Sequence, residues 1–577
     1  MEKNNIIKSA ISSIKTKTSV RMVLAVALAV ALASNPFGGG KGGKGMDADS
    51  GAAYGADTSA IADHVIRVHL SSLGAPASIN ATVTGAYTVG GSGTAVSGAV
   101  TIAASGTSGI SLTAGGTSYA LGKDVLLKSP DMKVSSYISL GGRNYSGDLR
   151  VINKGGALKL VSHVDIETYV MGVVPYESGN SSSYMEALKA QAVAVRTFAH
   201  FFMNSRNRAS QEHDIVNTTA AQVYNGYNSS YGNANAAVAA TSCQILQTPS
   251  GGTVLTCYSA ANGGYTEYPK SAGVTITNFP YLPYREDPYD LAYSLSHPEY
   301  SAALTIPKSL KVSDLKKKGA QPYAMLRSAM RSAGADPAKL PSKSKVSVKK
   351  IVLTHPRYDD NGSPRAYTGA NFTLKIPKSG KKPARTITVK FGPYTDANGV
   401  SRPFLNDKLG LANKSKFSML YLRGDSDSYL MASVRFGHSA GLSQVGAYQM
   451  ATEGISYKGI LNFYYLAGSE TQLIAKDWPI DNGVVKGPAP VGDDPIPVIG
   501  TDRPPDEKKS VYPFKAKVKI DSGSLTVRSG PGNKYKKVGA IKNNHKITIK
   551  GAKGSWYRIS YKGKKAYVAK RYVKKIK

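Results

Sequence analysis

The sequence predicts an α+β protein of more than one domain, in which a β-rich region with a few helices precedes a small β-barrel. Three observations lead to this class. The chain has 577 residues, more than one hydrophobic core usually organises. Short apolar runs alternate with Gly, Ser and Asn from about 65 to 164, which is typical of strands. A strong helical repeat then lies between about 184 and 203.

The N-terminal residues have the features of an export signal. Basic residues precede an apolar run at 22–33, which is about a dozen residues long, whereas a membrane-spanning helix needs roughly twenty. The run ends in the small residues that a signal peptidase requires. We therefore predict a cleaved signal peptide at 1–33, with an uncleaved membrane tether as the alternative. The Gly-rich residues 34–60 are predicted to be a flexible leader.

The chain is strongly basic. It has 73 Lys and Arg residues against 37 Asp and Glu residues, a formal net charge of +36. Such a charge favours nucleic acid, an anionic membrane or an anionic cell-wall polymer as partner. Because an exported protein does not meet nucleic acid, we predict a secreted protein associated with a Gram-positive type of cell wall. Anionic wall polymers are its expected partners.

Composition divides the remaining chain into three parts. Residues 61–475 hold most of the strand and helix patterns. Residues 476–510 are rich in Pro, Gly and Asp, which predicts a semi-extended linker. Residues 511–577 hold 20 Lys and Arg residues and one acid in short alternating runs, which predicts a small basic β domain. A solvated surface without a partner is the alternative interpretation of that charge.

The two cysteines flank a turn signal. Cys243 and Cys257 lie on either side of Pro-Ser-Gly-Gly at 249–252, between two β-rich runs. A hairpin would bring them opposite each other. In an oxidising compartment the sequence then predicts a disulfide between them.

Glu177 stands just ahead of the clearest helix. Apolar residues recur there at steps of three or four, and Ser183 with Glu186 has the spacing of a capping box. Glu177 is therefore predicted to lie in a loop before a helix N-terminus. Two other glutamates have structural explanations. Glu167 lies in a segment with a strand-like pattern, and Glu186 belongs to the predicted capping box.

Five matches, the first of which has two parts, resemble the stage II sporulation protein D (SpoIID/LytB) family and occur in the order that the family has them. They are VDIETYVMGVVPYE at 164–177 followed by EALKAQAVAVRT at 186–197, QVY at 222–224, GGYTE at 263–267, EDP at 286–288 and GHSAGLSQVGA at 437–447. The resemblance spans about 65–470. Residues from about 291 to 401 match poorly and form a divergent insertion of unknown role.

This resemblance implies a lytic transglycosylase that cleaves the MurNAc-GlcNAc backbone of peptidoglycan and leaves 1,6-anhydro ends. It also suggests a preference for strands lacking stem peptides. Glu177 would be the catalytic acid, because it follows the Val-Val-Pro segment. A glycoside hydrolase normally needs two carboxyl groups, but here the sugar 6-hydroxyl attacks, so one glutamate serves first as acid and then as base.

Such an acid must be protonated near neutral pH, which requires burial beside apolar groups. A nearby helix N-terminus would lower the pKa of Glu177 instead. The sequence leaves open which effect is larger.

The resemblance also implies residues that bind substrate. The loop at 437–446 is rich in Gly, which lets side chains converge on a cleft, although turn-forming roles are the alternative. Ser439 stands where the family usually has Gly, which could change the backbone of this loop. The predicted substrate-binding residues are His438, Ser443, Gln444, Gln222, Tyr224 and Tyr265.

No metal or other cofactor is predicted. Some relatives carry Cys and His-Cys just before the Gln-Val-Tyr segment, whereas this chain has Val216, Ala220 and Ala221 there. None of these side chains binds zinc.

The C-terminal part resembles a bacterial SH3-like (SH3b) wall-binding module. The matching segments are LTVRSGPG at 525–532, WYRI at 556–559 and AYV at 566–568. Such a barrel would hold the catalytic region at the wall and raise its effective concentration there.

Two other functions remain open. Some relatives are described as enhancers of an amidase, so the chain could be a non-catalytic glycan-binding protein with a cell-wall amidase as partner. A purely structural adhesin would use only the C-terminal domain and would leave the ordered segments unexplained.

Overall fold

The computed structural model divides the chain into two compact units, Met1–Ile499 and Gly500–Lys577. The predicted signal peptide and leader lie outside the described residues. Strands make up 40% and helices 22% of the structure, so the predicted α+β class is confirmed. In the part of the chain that is described, no helix is long and apolar enough to cross a membrane. The described residues are 62–90, 93–204, 208–274, 277–317, 319–360, 363–414, 416–487, 514–520, 523–532, 535–553 and 556–576.

A large sheet forms the N-terminal part of the first unit. In sheet order its strands are Ile215–Val216, Val65–His69, Leu158–Asp165, Asp148–Asn153, Asp124–Lys128, Ser78–Val89, Ala95–Ser105, Gly109–Ala114 and Thr117–Leu121, with the hairpin Tyr137–Leu140 and Arg143–Ser146 joined to Ser78–Val89. The pairing is antiparallel except between the first two strands. Alternation turns apolar side chains inward, as with the fully buried Ile66 and Val68.

Helices, some of which pack on this sheet, build the region around Glu177. They are Ile166–Met171, Val174–Ser178, Met185–Met203, Gly232–Ala240, Pro269–Ala272, Pro288–Ser296, Gln444–Thr452 and Tyr457–Tyr465. Two short pairings link the same region, Tyr258–Ser259 with Leu442–Ser443 and Gln244–Gln247 with Gln472–Ala475.

The long helix Met185–Met203 is where its apolar repeat predicts it. The predicted capping box is wrong, because Tyr184 is the N-cap and no side chain caps the first turn. The carboxylate of Glu186 instead accepts the backbone N–H of Tyr457 at 2.7 Å. Glu186 thus stabilises the beginning of a different helix.

The predicted insertion folds around a hydrophobic core of its own. Its main element, here called the insertion sheet, is antiparallel and consists in order of Ser309–Lys311, Lys345–Tyr358, Arg365–Ile376 and Arg385–Phe391. A second sheet has the order Ala302–Pro307, Ser428–Val434, Met419–Gly424, and a short hairpin pairs Tyr394–Thr395 with Ser401–Arg402. The accompanying helices are Val312–Lys316, Tyr323–Ser332 and Phe404–Lys408.

The predicted disulfide is not formed, because Cys243 and Cys257 are both free, buried thiols. Gln244–Gln247 pairs with Gln472–Ala475 rather than with the run after the turn. Within the described residues, the predicted hairpin is reduced to an isolated bridge between Gln247 and Thr253. The cysteines therefore lie in two different hydrophobic clusters.

The beginning of the predicted linker belongs to the first unit. Trp478 and Asn482 are each 1% exposed. The Asn482 amide donates to Asp165 at 3.2 Å and to the Thr168 hydroxyl at 2.8 Å. Residues 476–487 are thus packed rather than extended, and the rest of the predicted linker lies outside the described residues.

The second unit is a seven-stranded antiparallel sheet around a small core. In sheet order its strands are Lys537–Lys542, Ser524–Arg528, Lys564–Ala569, Trp556–Tyr561, Lys546–Lys553, Phe514–Val518 and Val573–Lys575. Fully buried Val527, Ile549 and Val568 form the centre of its core. This arrangement agrees with the small β domain that the sequence predicts.

Candidate functional site

Glu177 lies in the short helix Val174–Ser178, not in a loop as predicted. Its side chain is half-buried. One carboxylate oxygen accepts the backbone N–H of Val223 at 3.0 Å. The other accepts the side-chain N–H of Gln444 at 3.5 Å. Three segments that are far apart in the sequence therefore meet at one carboxyl group.

Burial raises the pKa of Glu177 above its ordinary value. The two hydrogen bonds from Val223 and Gln444 act in the opposite direction, since they stabilise the charged form. The effect of burial is the larger one, so Glu177 keeps its proton at a higher pH than a solvated glutamate.

Phenol groups surround the carboxyl group. The charge of Glu177 contributes to the raised pKa of Tyr258, Tyr169 and Tyr448, after the larger effect of burial in each case. The Tyr448 hydroxyl also donates to the backbone carbonyl of Ser178 at 2.9 Å. The site thus combines one carboxyl group of raised pKa with tyrosine hydroxyl groups, which can hydrogen-bond to polar ligands.

Gln222 and Tyr224 are fully buried, which corrects the prediction that they contact substrate. The Gln222 amide accepts from the Tyr169 hydroxyl at 2.8 Å and donates to the Tyr258 hydroxyl at 3.1 Å. Tyr224 packs so closely on Gly172 that a Cβ there would lie 2.5 Å from its ring. Together the two side chains fix the backbone N–H of Val223, which lies between them and bonds to Glu177.

Ser443 is also fully buried and has a structural role rather than the predicted contact with substrate. It is the N-cap of the helix Gln444–Thr452, where its hydroxyl accepts the backbone N–H of Gly446 at 3.0 Å. The same hydroxyl donates to a carboxylate oxygen of Asp290 at 2.6 Å. Ser443 therefore determines where the helix begins and with it the place of Gln444.

Asp290 belongs to a buried carboxyl pair that the sequence reasoning missed. Burial, and then the charge of Asp287, raises the pKa of Asp290 to about 7. The backbone N–H of Asn262 and the Ser443 hydroxyl donate to Asp290 at 2.6 Å each. The Tyr464 hydroxyl donates to Asp287 at 2.6 Å. Asp287 belongs to the Glu-Asp-Pro segment, but nothing in the sequence indicated that Asp290 bonds to Ser443 in the glycine-rich loop.

His438 is half-buried, and its ring bonds to the backbone of the loop. Its Nδ1 accepts the N–H of Ala440 at 3.0 Å, and a second hydrogen bond joins the ring to the backbone of Tyr258. Burial, and then the charge of Arg435, lowers the pKa of His438 to about 4. His438 thus has the turn-forming contact that the sequence raised as the alternative, and its contact with substrate stays a prediction.

Ser439 has a left-handed backbone conformation at the position where the resemblance leads us to expect a glycine. Its φ is 69°, in the left-handed region that costs a side-chain-bearing residue about 1–2 kcal/mol. The Ser259 hydroxyl accepts the N–H of Ser439 at 3.1 Å, and the Ser439 carbonyl accepts the N–H of Glu267 at 2.9 Å. These bonds hold the loop in a conformation that glycine would adopt without strain.

Tyr265 is half-buried and stacks on Tyr284, with ring centroids 5.8 Å apart. The insertion reaches the same place, because Arg365 forms an ion pair with Glu267 at 2.8 Å, with both side chains about 5% exposed. The Arg365 guanidinium also lies 5.5 Å from the Tyr284 ring centroid. Substrate contact by Tyr265 stays a prediction, in surroundings that the insertion helps to build.

Glu167 is a structural residue of the helix Ile166–Met171, not of a strand. Its carboxylate is fully buried and accepts two hydrogen bonds from Arg196, at 2.7 and 2.6 Å, and one from the backbone of Cys243 at 2.9 Å. A fully buried carboxylate held by these bonds is not open to a sugar. Glu177 therefore stays the candidate for the catalytic acid.

Among the described residues, no three His, Cys, Asp or Glu side chains converge in a way that could hold a metal ion. The absence of a metal stays a prediction, which rests on the apolar residues at Val216, Ala220 and Ala221.

Two family models match the chain. Residues 154–247 match the model described as Stage II sporulation protein. Residues 523–574 match the model described as bacterial SH3 domain. The first match contains Glu177 and Val223, and the second covers most of the C-terminal unit. Both resemblances that the sequence motifs indicated are thereby confirmed.

Three curated proteins are similar to the chain. An amidase enhancer of Bacillus subtilis is 28% identical over 359 residues, which cover 60% of this chain and 46% of that protein. An uncharacterized protein of Brachyspira hyodysenteriae is 37% identical over 145 residues, covering 25% and 38%. Stage II sporulation protein D of Bacillus subtilis is 25% identical over 318 residues, covering 53% and 74%. The chain thus spans less than half the length of the first two relatives.

Proposed function

We propose that this chain, which carries a Stage II sporulation protein domain and a bacterial SH3 domain, is a cell-wall protein that cleaves peptidoglycan glycan strands as a lytic transglycosylase. The carboxyl group of Glu177 is the observation that carries this proposal. It is half-buried, its pKa is raised, and two donors are ready to stabilise its charged form.

In the first step, protonated Glu177 donates its proton to the glycosidic oxygen between MurNAc and GlcNAc. The bond from that oxygen to C1 of MurNAc breaks, and GlcNAc leaves with a neutral 4-hydroxyl group. The carboxylate that remains is stabilised by the N–H groups of Val223 and Gln444.

In the second step, the 6-hydroxyl group of the same MurNAc attacks C1. Its proton goes to the Glu177 carboxylate, which restores the acid. The product is a 1,6-anhydro ring, and no water is consumed. One carboxyl group therefore suffices for both proton transfers.

The C-terminal unit would retain the protein at the wall. This unit matches a bacterial SH3 domain and resembles wall-binding modules of that kind, and attachment would raise the local concentration of the first unit on its substrate. Peptidoglycan is thus the proposed partner, outside the cytoplasm, while secretion by a signal peptide stays a prediction.

A second candidate function is non-catalytic. The chain is 28% identical to an amidase enhancer, and a protein of that kind would bind glycan strands and assist a cell-wall amidase. Glu177 would then contact the sugar without transferring a proton.

One experiment separates the two candidates. Purified protein and a Glu177→Gln variant are incubated with intact peptidoglycan and with strands lacking stem peptides, and mass spectrometry counts 1,6-anhydro ends. We expect the variant to lose roughly 10²- to 10⁴-fold in rate, the usual contribution of a general acid. The exposed Glu453 provides the matched control Glu453→Gln, which should cleave normally.

The remaining outcomes have clear meanings. If the unaltered protein releases no anhydro ends from either substrate, it is not a transglycosylase and the enhancer function is favoured. If the unaltered protein and Glu177→Gln release anhydro ends equally, another residue is the acid.

Of the two substrates, we expect faster cleavage of the strands that lack stem peptides.

A further inference from the structure

The insertion sheet has one buried and one exposed face. Its inner side chains, such as Phe372 and Leu374, are fully buried in the core of the insertion. The part of its exposed face that lies on the three longer strands is here called the lysine face. It consists of Ser347, Lys350, Val352, Asn371, Thr373, Lys375, Thr386, Thr388 and Lys390. Lys311 and Lys345, which lie opposite each other, are exposed on the same side at one end of the sheet.

The strand register intersperses the lysines with neutral polar side chains. Lys350 lies opposite Thr373, and Lys390 lies opposite Asn371. Lys375 lies between Ser347 and Thr386 on the two neighbouring strands.

The same register gives the spacing of the three charges. Lys350 and Lys375 are diagonal neighbours, which places their backbones about 7–8 Å apart. Strand geometry puts Lys390 within roughly 15 Å of both. Three flexible ammonium groups therefore share a small area of this face with hydroxyl and amide groups.

The positive charge of this face is not compensated. No Asp or Glu lies on the strands of the insertion sheet. Within the described residues, none of the ion pairs involves Lys350, Lys375 or Lys390. By contrast, Lys159 on the large sheet pairs with Glu212 at 2.6 Å.

Protection of sheet edges does not account for this arrangement. Lysines often occur on edge strands, where they prevent pairing with other chains, and this applies to Lys390. Lys375, however, lies on a central strand of the insertion sheet and is paired with Ser347 on one side and Thr386 on the other. Protection of an edge therefore does not explain the charge at Lys375.

We propose that the lysine face binds a linear polyanion with repeating phosphodiester groups, of the teichoic-acid kind found in cell walls. Ammonium groups attract phosphate, and the hydroxyl and amide groups between them can donate hydrogen bonds to phosphate oxygens. Because the three lysines are spread along an open sheet face, they suit an extended polymer better than a compact ligand. The binding is independent of the chemistry at Glu177 and shares with the proposed function only the location at the wall.

Lysine footprinting of the full-length protein tests this binding directly. An amine-reactive reagent is applied with and without poly(glycerol phosphate), and mass spectrometry measures the labelling of each lysine. We expect the polymer to slow the labelling of Lys350, Lys375 and Lys390. Three exposed lysines outside the face serve as controls, Lys123, Lys128 and Lys486. Equal labelling of both groups with and without the polymer would overturn the proposal.

A pair of triple variants tests whether the position of the charges matters. One carries Lys350→Gln, Lys375→Gln and Lys390→Gln, and the other carries Lys123→Gln, Lys128→Gln and Lys486→Gln. Both lose the same net charge. Each lost phosphate contact lowers the slope of log affinity against log salt concentration by about one. This slope should therefore fall by about three in the first variant and stay unchanged in the second.

If the salt dependence of the affinity falls equally in both variants, polymer binding follows net charge alone and the lysine face is not a site. Release of 1,6-anhydro ends from soluble strands is measured in parallel and should be unchanged in both variants. Failure of that reaction in the unaltered protein would bear on Glu177 and not on the lysine face.

Discussion

Glu177 receives hydrogen bonds that favour its charged form, yet the pKa of this residue is raised. The balance suits a group that must be an acid at rest and a base after the first step. Activity should therefore decline as the pH rises through the pKa of Glu177, because only the protonated form starts the reaction.

Replacing Gln444 by Met should move this decline to higher pH. The substitution keeps the site filled but removes the N–H that stabilises the Glu177 carboxylate, so the pKa of Glu177 should rise further. The measurement is kcat/KM against pH on soluble glycan strands. Gln449→Met, on the same helix but bonded to Glu453, should leave the profile unchanged. A shift to lower pH after Gln444→Met would contradict this account of the site.

Single residues also show the limits of sequence reasoning. Motifs were sufficient to single out Glu177, and Gln444 does contact it. The same motifs assigned Gln222, Tyr224 and Ser443 to the substrate, whereas these side chains are buried and fix the positions of their neighbours. A recurring motif does not distinguish a residue that touches the ligand from one that supports it, because burial depends on segments far away in the sequence.

Among elements, length determined what could be predicted. The helix Met185–Met203 has several turns, so its apolar repeat was clear. The helices Ile166–Met171 and Val174–Ser178 are too short for such a repeat, and Asp165 caps the first of them. The segment at 476–487 was misjudged for a related reason, since its composition resembles a linker while two buried side chains hold it in place.

Trp478 provides the test at this scale. It is 1% exposed, and its indole N–H donates to Asp63 at 3.2 Å. Trp478→Ala should destabilise the first unit by about 3–5 kcal/mol, measured by urea unfolding. Val484, 38% exposed in the same segment, gives the control Val484→Ala, with an expected cost below about 0.5 kcal/mol. Equal costs would mean that the segment is not packed.

Across the whole molecule, the order of the domains was clearer from sequence than their internal contacts. The SH3-like motif identified the C-terminal unit, and the glycine-rich turn between Cys243 and Cys257 suggested a hairpin. That hairpin is largely absent because Gln472–Ala475, more than 200 positions away, pairs with the first strand instead. Long-range pairing of this kind leaves no local pattern.

Removal of residues 500–577 should separate wall binding from cleavage. The first unit is compact and has its own cores, so cleavage of soluble strands should be unchanged. Retention on isolated cell walls, measured by cosedimentation, should fall because one attachment is lost. Unchanged retention would show that the C-terminal unit does not contribute to wall binding.

The most direct test of the central claim is digestion of glycan strands in water enriched in oxygen-18. Intramolecular attack by the 6-hydroxyl group consumes no water, so the new MurNAc ends should be 1,6-anhydro and free of the heavy isotope. A hydrolase would instead leave reducing ends that carry oxygen-18. Anhydro ends without label, lost in Glu177→Gln, are the predicted result, and labelled reducing ends would contradict the proposed mechanism.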